Sequence, residues 1–293
     1  MIIDENRGSD GTSRLIYSRN NIHIKRLRSL QDREGREQTG LFLIEGIRPL
    51  AQAVAHGVRI ETLIVAPQLL TIPFGRRVVR QIRIAGTPCL SLTPEVYYSF
   101  TQAEEPQGVA AVVKQRWEPL ETLRPSNGLC WIAAEAVQSP GNLGTMIRSS
   151  DAVGGAGIIL LGNATDPYDP ATVRASMGAI FAQRFVRGTV EQFAIWKRRN
   201  CCTVVGTSPD AKTDYQDVVY PRPTMLLLGC EKRGLTPELQ SLCDVMVKIP
   251  MVGRSDSLNV AVATSVMLYE LFNQRRRARS QPGEKGIEAR GST

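Results

Sequence analysis

Short apolar runs alternate with amphipathic stretches along most of the chain. In the first half the apolar runs are GLFLIEG, ETLIVAP, PCLSL and QGVAAVV, with helix-like segments between them. The alternation starts again at Leu129 with LCWIAA and continues through GIILLG, TVVGTS, MLLLG and VMVKIP. It predicts two α/β units, the second built on a mostly parallel sheet that is covered on both faces.

The two units are separated by the Pro-containing stretch WEPLETLRPSNG, which predicts a linker between two domains. The last residues of the chain lack a hydrophobic pattern, which favours disorder. Ahead of the first apolar run, residues 14–38 predict one basic helix. We therefore expect a flexible N-terminus at 1–13, a first domain at 14–116, a linker at 117–127, a second domain at 128–276 and a disordered basic tail at 277–293.

The chain is basic, because its 293 residues carry a formal net charge of +8. This balance favours a polyanionic partner such as nucleic acid. Seven Arg and Lys residues against two acids lie between residues 14 and 36, where Lys25, Arg26 and Arg28 are candidate RNA contacts. The four arginines between residues 275 and 279 either complement the dipole of a final helix or add to an RNA surface.

The composition also bears on location and metal binding. No apolar run approaches the ~20 residues of a membrane span, and the acidic N-terminus is unlike a secretory signal, so we expect a cytoplasmic protein. Six cysteines form no Cys-x-x-Cys pair and only two histidines are present, so we expect no zinc site. The adjacent Cys201 and Cys202 suit reduced thiols, and Cys230 is either a small packing residue or a reactive thiol.

Three polar loops follow apolar runs in the second half, where the carboxyl ends of parallel strands form ligand sites. The first loop, SPGNLGTMIR, starts a helix for which Asn142 is a candidate N-cap. Arg148 points roughly 140° away from the apolar stripe of that helix. The pattern alone therefore describes Arg148 as a solvent-exposed helix arginine.

The second and third loops have the same strand-to-helix setting. In GCEKRGLTP, Thr236 and Pro237 are suited to start a helix, the glycines allow close backbone approach to a ligand, and Glu231 is expected to be partly buried beside the site. In IPMVGRSDSLNVAV, we expect Ser255, Asp256 or Ser257 to cap the last helix.

Other common site architectures are absent from the sequence. It contains neither G-x-x-x-x-G-K-[ST] nor G-x-G-x-x-G after a strand, which argues against a P-loop and a Rossmann dinucleotide site. Both histidines, His23 and His56, precede the second domain. A Ser-His-Asp triad is therefore not expected.

The three loops resemble the motifs of the SpoU (TrmH-type) RNA ribose methyltransferases of the SPOUT superfamily. Asn142, Gly144 and Arg148 match N-x-G-x-x-x-R, and residues 229–236 match G-x-E-x-x-G-[LI]-[ST]. Residues 249–263 match I-P-M…S-L-N-V-[AS]-V-A almost fully. The likeness extends over both domains in a layout similar to that of ribosomal RNA and antibiotic-resistance methyltransferases. One departure is Ser139, where many members have Asp.

The resemblance implies an α/β protein whose C-terminal SPOUT-type parallel sheet, at 128–276, is tied in a deep trefoil knot. For residues 14–116 it implies a small N-terminal α/β RNA-binding domain with a fold like that of ribosomal proteins. It also implies a homodimer. The apolar side of the last helix then packs either in the dimer interface or in its own core, at Leu258, Val262, Val266 and Leu271.

The resemblance further implies methyl transfer from S-adenosylmethionine to a ribose 2′-hydroxyl, most directly in large-subunit (23S) ribosomal RNA. Transfer RNA is the alternative substrate, and a non-catalytic RNA-binding or ribosome-assembly protein is the alternative class. Arginine is a poor base, so Arg148 would remove the hydroxyl proton through an RNA phosphate or in a strongly perturbed environment. No metal is implied. The implied residues are Arg148, Asn142, Glu231, Ser257 and Asn259 for catalysis, Gly206, Thr207, Gly229, Gly234, Ile249, Met251 and Leu258 for the cofactor, and Arg174, Lys25, Arg26 and Arg28 for RNA.

Overall fold

The computed structural model describes residues 15–125 and 128–280. The N-terminus expected to be flexible, at 1–13, lies outside the described residues. The same is true of the expected tail from residue 281 onwards.

The first part of the chain forms a five-stranded mixed sheet in the order β1-β4-β3-β5-β2. Strand β5 is antiparallel to both of its neighbours, while β3, β4 and β1 are mutually parallel. The elements are β1 (Leu15–Ile16), α1 (Ile22–Ser29), α2 (Arg33–Thr39), β2 (Leu41–Glu45), α3 (Ile47–Ala55), β3 (Ile60–Val65), α4 (Pro73–Ile84), β4 (Cys89–Leu92), α5 (Pro94–Tyr98) and β5 (Val109–Lys114).

This first sheet is covered on both faces. Side chains alternate along its strands, so Phe42 and Ile44 of β2 join one apolar cluster while Leu41 and Leu43 join another. The first cluster takes the buried residues of α3 and α4, and the second takes those of α1 and α5. Helices α1 and α4 therefore lie on opposite sides of the sheet.

The second part of the chain forms a seven-stranded sheet in the order β10-β12-β9-β11-β6-β7-β8, and every pairing within it is parallel. Parallel strands need crossover connections, which the helices between them supply. The elements are β6 (Trp131–Glu135), α6 (Pro140–Ala152), β7 (Gly157–Leu161), α7 (Pro170–Ala175), β8 (Phe185–Gly188), α8 (Val190–Arg199), β9 (Thr203–Thr207), β10 (Thr213–Asp214), β11 (Thr224–Leu228), α9 (Pro237–Ser241), β12 (Val245–Lys248) and α10 (Val260–Ser280).

The prediction of a single basic helix at 14–38 is wrong, because the chain folds there into β1, α1 and α2. The break lies at residues 30–32, between the two helices. The Arg36 guanidinium donates to the carbonyl oxygens of Leu30 at 3.1 Å and Gln31 at 2.7 Å. Carbonyl groups at the end of α1 are thus satisfied by a side chain rather than by continued helix.

Two helix ends are defined by neighbouring residues. Helix α7 ends at Ala175, because Met177 and Gly178 both have positive φ, at 54° and 96°, and reverse the chain. The last helix continues to Ser280, so the tail boundary predicted at 277 is wrong. Arginine is a good helix former, and the Arg276 guanidinium lies 5.6 Å from the ring centroid of Phe272 one turn earlier.

A buried arginine joins the two halves of the chain. Arg36 of α2 is 1% exposed, and its Nε lies 2.8 Å from an Asp166 carboxylate oxygen in the loop after β7. Its other terminal nitrogen lies 3.5 Å from the Asp169 carboxylate. Beside this ion pair the Tyr168 hydroxyl donates to the carbonyl oxygen of Arg116 at 2.6 Å, and the Tyr168 ring packs on Phe42. The N-terminal sheet is thus held against the loop that leads into α7.

Helices α6 and α7 pack closely at Gly144. A Cβ atom at this position would lie 2.4 Å from the Ala175 Cβ and 2.8 Å from the Thr172 carbonyl oxygen. The glycine of the predicted first motif is therefore required by packing between the two helices.

We expect Gly144→Ala to lower the free energy of unfolding by about 1–3 kcal/mol, because overpacking forces backbone shifts. Gly141→Ala on the same helix is the matched control, since its Cβ would meet only the Ser139 Oγ, at 3.7 Å. Chemical denaturation of both variants measures the difference. Equal stability of the two variants would contradict the packing argument.

Candidate functional site

The three predicted loops meet where the strands of the seven-stranded sheet have their C-terminal ends. The carboxylate of Glu231 is at the centre of their contacts. Glu231 accepts hydrogen bonds from the backbone N–H of Gln138 and of Ser139, both at 3.1 Å. It also accepts one from the Asn142 side-chain amide at 3.0 Å. Asn142 in turn accepts from the Asn259 side chain at 2.9 Å. A continuous chain of hydrogen bonds thus links Glu231, Asn142 and Asn259, one residue from each loop.

The caps of the two helices at the site differ from those predicted. Ser139, and not Asn142, caps α6, since its hydroxyl accepts from the Asn142 N–H. Asn259, and not one of residues 255–257, accepts from the first N–H groups of α10, those of Ala261 at 2.9 Å and Val262 at 3.3 Å. Asn142 lies inside its helix, so its side chain is free to bridge to Glu231 and Asn259.

Glu231 is exposed rather than partly buried, which corrects the expectation from sequence. What burial it has acts to raise the pKa of the carboxyl group, but the hydrogen bonds from Asn142, Gln138 and Ser139 outweigh it and lower the pKa below its ordinary value. These hydrogen bonds therefore stabilise Glu231 in its ionised carboxylate form.

We expect Glu231→Gln to weaken methyl transfer about tenfold and to lower the free energy of unfolding by about 0.5–1.5 kcal/mol, since the group is exposed and water can replace the lost acceptor. An amide has one acceptor oxygen, so one of the two N–H groups of Gln138 and Ser139 would face an NH₂ donor. Enzyme assays and denaturation measure these losses. Glu238→Gln, an exposed acid at the start of α9, is the control and should behave as wild type.

The pH dependence of this loss has a defined sign. Because the folded-state pKa of Glu231 is lowered, its contribution to stability is fully present above the unfolded-state pKa of about 4.3. It is lost as the pH falls through the folded-state value. The stability gap between wild type and Glu231→Gln should therefore be constant near neutrality and close below pH ~4. A gap that widened on acidification would contradict the lowered pKa.

A pocket of about 350 Å³ opens beside this network, between the loops after β9, β11 and β12. Its lining includes the apolar side chains of Leu228, Ile249, Met251 and Leu258 and the carboxylates of Asp210 and Glu231. Six of the seven residues expected to contact a cofactor line it: Thr207, Gly229, Gly234, Ile249, Met251 and Leu258. Ser257, expected to be catalytic, lines it as well.

Gly206 is the predicted cofactor residue that does not line the pocket. It is buried in β9, where a Cβ would lie 2.6 Å from both the Cys243 and Met246 sulfur atoms. Gly206 therefore faces the core, whereas Thr207, the next residue at the strand end, lines the pocket.

The backbone of the second loop folds back on itself at the pocket. A Cβ on Gly229 would lie 2.1 Å from the Gly234 carbonyl oxygen, so no side chain fits there. The N–H of Gly234 donates to the Cys230 carbonyl oxygen at 2.8 Å, and Gly234 adopts a φ of 63° that favours glycine. Cys230 is a buried free thiol.

Arg148 lies on the exposed side of α6, as the helical pattern predicts. It does not line the pocket, and in the described part of the chain its guanidinium makes no hydrogen bond or ion pair. The neighbouring Ser149 hydroxyl lies 2.8 Å from that of Ser265, which fastens α6 to α10. The helix holds Arg148 firmly, while its charged group stays free to meet a ligand.

Three of the predicted RNA contacts lie on α1 and the fourth lies on α7. Lys25 and Arg26 are exposed on α1, whereas the Arg28 guanidinium donates to the Ser99 carbonyl oxygen at 3.2 Å. Arg174 is half-buried on α7, with a guanidinium nitrogen 3.5 Å from the Gln102 side-chain oxygen. Arg28 and Arg174 therefore contact the same segment, residues 99–102, from two different helices, and their role in RNA binding stays a prediction.

Sequence reasoning missed Asp210, which lines the pocket after β9 together with Ser208 and Pro209. The signal available was position, since Asp210 lies in the loop that follows the apolar run TVVGT at a strand end. Lys232, Arg233 and Gln240 line it too and were also not singled out.

Comparison with known proteins places this site in a family. The family model for the SpoU rRNA methylase family matches residues 130–269, and that for the MRM3-like substrate binding domain matches residues 21–111. The 23S rRNA (uridine(2479)-2′-O)-methyltransferase of Streptomyces viridochromogenes is 35% identical, over 90% of this chain and 93% of that protein. The chain belongs to the SpoU rRNA methylase family.

Two more relatives support this assignment. The 23S rRNA (guanosine(2553)-2′-O)-methyltransferase of Bacillus subtilis is 29% identical, over 87% of this chain and 98% of that protein. The crystal structure of an AdoMet-bound rRNA methyltransferase from Sinorhizobium meliloti superimposes with a TM-score of 0.80 at 36% identity, covering 90% of this chain and 98% of that one.

The family predicted from the three motifs is thus confirmed, and so is the fold class of a parallel methyltransferase sheet with a small N-terminal domain. At the level of the SpoU family, an RNA ribose methyltransferase that uses S-adenosylmethionine is confirmed as well. The deep trefoil knot stays a prediction.

Among residues 15–125 and 128–280, no group of three or more His, Cys, Asp or Glu side chains could hold a metal ion. Within those ranges no helix combines the length and apolar character needed to cross a membrane.

Proposed function

We propose that this protein transfers the methyl group of S-adenosylmethionine to a ribose 2′-hydroxyl of 23S ribosomal RNA. The observation that carries the proposal is the hydrogen-bonded chain Glu231–Asn142–Asn259, which fastens three loops together at the rim of a pocket. The names of the Streptomyces and Bacillus relatives support the substrate and the position of the methyl group.

The pocket fits S-adenosylmethionine in size and lining. Its volume of about 350 Å³ lies in the range of about 300–1,000 Å³ usual for small-molecule sites. Ile249, Met251 and Leu258 offer apolar contact for an adenine ring, and the glycine backbone at 229 and 234 lets amide groups approach closely. Asp210 offers a carboxylate at the rim for the amino group. Plain RNA binding gives no reason for such a pocket.

The chain's own residues would position the ribose and handle its proton. S-adenosylmethionine supplies a methyl group on a positively charged sulfur, which keeps the bonding electron pair when the ribose oxygen takes the methyl. Asn142, Ser257 and Asn259 would orient the ribose beside Glu231. Arg148 would hold an RNA phosphate next to the 2′-hydroxyl, and that phosphate would accept the hydroxyl proton as the oxygen takes the methyl group, since a guanidinium is itself a poor base.

The N-terminal half, residues 14–116, would bind the folded RNA, while residues 128–276 would carry the transfer. Folded RNA is recognised by shape, by exposed loops and by its 2′-hydroxyl groups, which suits a separate domain. Arg174 would contact an RNA phosphate at the junction of the two halves. A ribosomal RNA substrate supports the cytoplasmic location expected from the sequence.

We also propose a homodimer that uses the exposed side of α10. Leu271 is buried in the core of its own subunit, whereas Val262 and Tyr269 are each 48% exposed. Apolar side chains of this size at helical spacing suit contact with a second copy. Light scattering at micromolar concentration should give twice the mass of 32.3 kDa, and a monomer would contradict the dimer.

The function is tested by transfer of radiolabelled methyl groups from S-adenosylmethionine to unmodified 23S ribosomal RNA and, separately, to transfer RNA. The RNA is then hydrolysed with alkali. We expect label in 23S RNA within an alkali-resistant dinucleotide, because a 2′-O-methyl group blocks cleavage. Label in transfer RNA alone would overturn the substrate, and absence of both label and cofactor binding would indicate a non-catalytic RNA-binding protein.

A further inference from the structure

Helix α4 presents an arginine-rich face to solvent. Arg76, Arg77, Arg80 and Arg83 are all exposed, while the opposite side of the helix is buried against the sheet. The same face carries two exposed apolar side chains, Phe74 at 47% and Ile84 at 81%. We call these six residues the α4 face.

The chain segments next to the α4 face contain no acidic residues. Residues 46–59, which include α3, and residues 66–92, which include α4, contain no Asp or Glu. Arg77 and Arg80 are three residues apart, and so are Arg80 and Arg83, so like charges face each other on neighbouring turns. Such pairs destabilise a helix unless a counter-charge is near.

Only some of these arginines have partners within the protein. The Arg76 Nε donates to the Leu70 carbonyl oxygen at 2.8 Å, and Arg83 contacts the Cys89 sulfur at 3.2 Å. Across the described ranges, Arg77 and Arg80 make no hydrogen bond or ion pair. The guanidinium of Arg77 lies 5.9 Å from the centre of the Phe74 ring. Two unpaired guanidinium groups and an aromatic ring are therefore open to a ligand.

The basic surface predicted from sequence lies on the other side of the same sheet. It is centred on Lys25 and Arg26 of α1, and acids accompany it. The charge of Arg19 acts on Glu95, and the adjoining helix α2 contains Glu34 and Glu37. The α4 face thus differs from the α1 side in having no acids of its own.

The α4 face is connected to the catalytic half through neighbouring elements. Helix α3 packs against α4 on one side and against residues 179–181 on the other. The Gln52 side chain of α3 lies against Gly178, just after α7, and α7 packs on α6. Helix α4 is therefore linked through α3, residues 178–181 and α7 to α6, the helix that carries Arg148.

We propose that the α4 face binds the phosphate backbone of the RNA substrate at a distance from the methylated nucleotide. Arg77 and Arg80 contact phosphates, and Phe74 and Ile84 pack on unpaired bases. This inference rests on the proposed function, because the occupant is the same 23S RNA. The main RNA contact of the N-terminal domain is then on the α4 side of the sheet, opposite the α1 side that the sequence predicted.

The test compares three double variants that each remove two exposed positive charges. They are Arg77→Gln with Arg80→Gln on α4, Lys25→Gln with Arg26→Gln on α1, and Arg198→Gln with Arg199→Gln on α8 as control. Binding of in vitro transcribed 23S RNA is measured by filter binding between 50 and 200 mM salt. The methyl-transfer KM and the S-adenosylmethionine Kd are measured alongside, with circular dichroism as the test of folding.

We expect the α4 variant to bind RNA about tenfold more weakly and to raise the KM for RNA by a similar factor. Its salt dependence, the slope of log K against log [salt], should become shallower by about 1.4–1.8, or 0.7–0.9 per lost phosphate contact. The S-adenosylmethionine Kd should stay as in wild type, and the α8 control should bind RNA as wild type does.

Two results would overturn the inference while leaving the proposed function intact. In the first, the α4 variant binds RNA like the α8 control. In the second, the α1 variant alone loses affinity, which would assign the contact to the side predicted from sequence. A wild-type protein that neither binds nor methylates 23S RNA would overturn the proposed function, and the inference with it.

Discussion

Replacing Arg148 by Ala should reduce methyl transfer by about 10²–10³-fold while the protein binds S-adenosylmethionine as tightly as wild type. The reason is geometric. Arg148 lies on the exposed side of α6, outside the pocket, and in the described chain its guanidinium has no partner. We therefore expect its loss to leave the fold and the pocket unchanged and to remove only the charge that we propose contacts the substrate.

Two further variants sharpen this prediction. Arg148→Lys keeps the charge but loses the planar guanidinium, so we expect an activity between those of wild type and Arg148→Ala. Arg199→Ala removes an exposed arginine at the end of α8 and should leave activity unchanged. Isothermal titration with S-adenosylmethionine and single-turnover methylation of 23S RNA measure the two steps separately. Undiminished transfer by Arg148→Ala would exclude any role for this residue in the reaction.

Replacing Arg36 by Ala should lower the free energy of unfolding by about 3–5 kcal/mol. The substitution would leave the Asp166 carboxylate, whose side chain is 8% exposed, as a buried charge without its partner. It would also remove the donor to the Leu30 and Gln31 carbonyl oxygens between α1 and α2. Because Arg36 joins the N-terminal sheet to the loop before α7, the KM for RNA should rise as well.

The neighbouring Arg33 provides the matched control. Its ion pair with Glu37 is about half exposed on both sides, and such surface pairs contribute about 0–1 kcal/mol. Arg33→Ala should therefore have a small effect. Combining Arg36→Met with Asp166→Asn should cost less than the sum of the two single variants, because both partners of the pair are then neutral. Denaturant unfolding of wild type, Arg33→Ala, Arg36→Ala, the two single variants Arg36→Met and Asp166→Asn, and their combination measures these differences. An Arg36→Ala protein as stable as Arg33→Ala would contradict the buried pair.

Element types followed closely from the sequence, whereas several boundaries did not. The apolar runs predicted β2, β3, β6, β7, β9, β11 and β12, because continuous apolar runs of this length suit strands that are buried on both faces. The break between α1 and α2 could not be read from helical pattern. It depends on the Arg36 guanidinium, which reaches the end of α1 only when α2 has packed beside it.

The candidate site shows the same division. The motifs singled out Asn142, Glu231 and Asn259 individually, but not their hydrogen bonds. Asn142 had been expected to cap its own helix, a local role. In the structure Ser139 takes that role, and Asn142 bonds Glu231, which is 89 positions away along the chain.

By itself the sequence determined the family, the two α/β halves, the three loops that form the pocket and the exposed side of α6 that carries Arg148. These features depend on residue type and on the periodicity of neighbouring positions, which are local properties. The tertiary structure alone decided which side chains cap α6 and α10, how Glu231 joins the three loops, and that Arg36 is buried between the two halves. It also decided that α1 and α4 lie on opposite sides of one sheet. These properties depend on strand order and helix packing, which bring together residues that no local pattern relates.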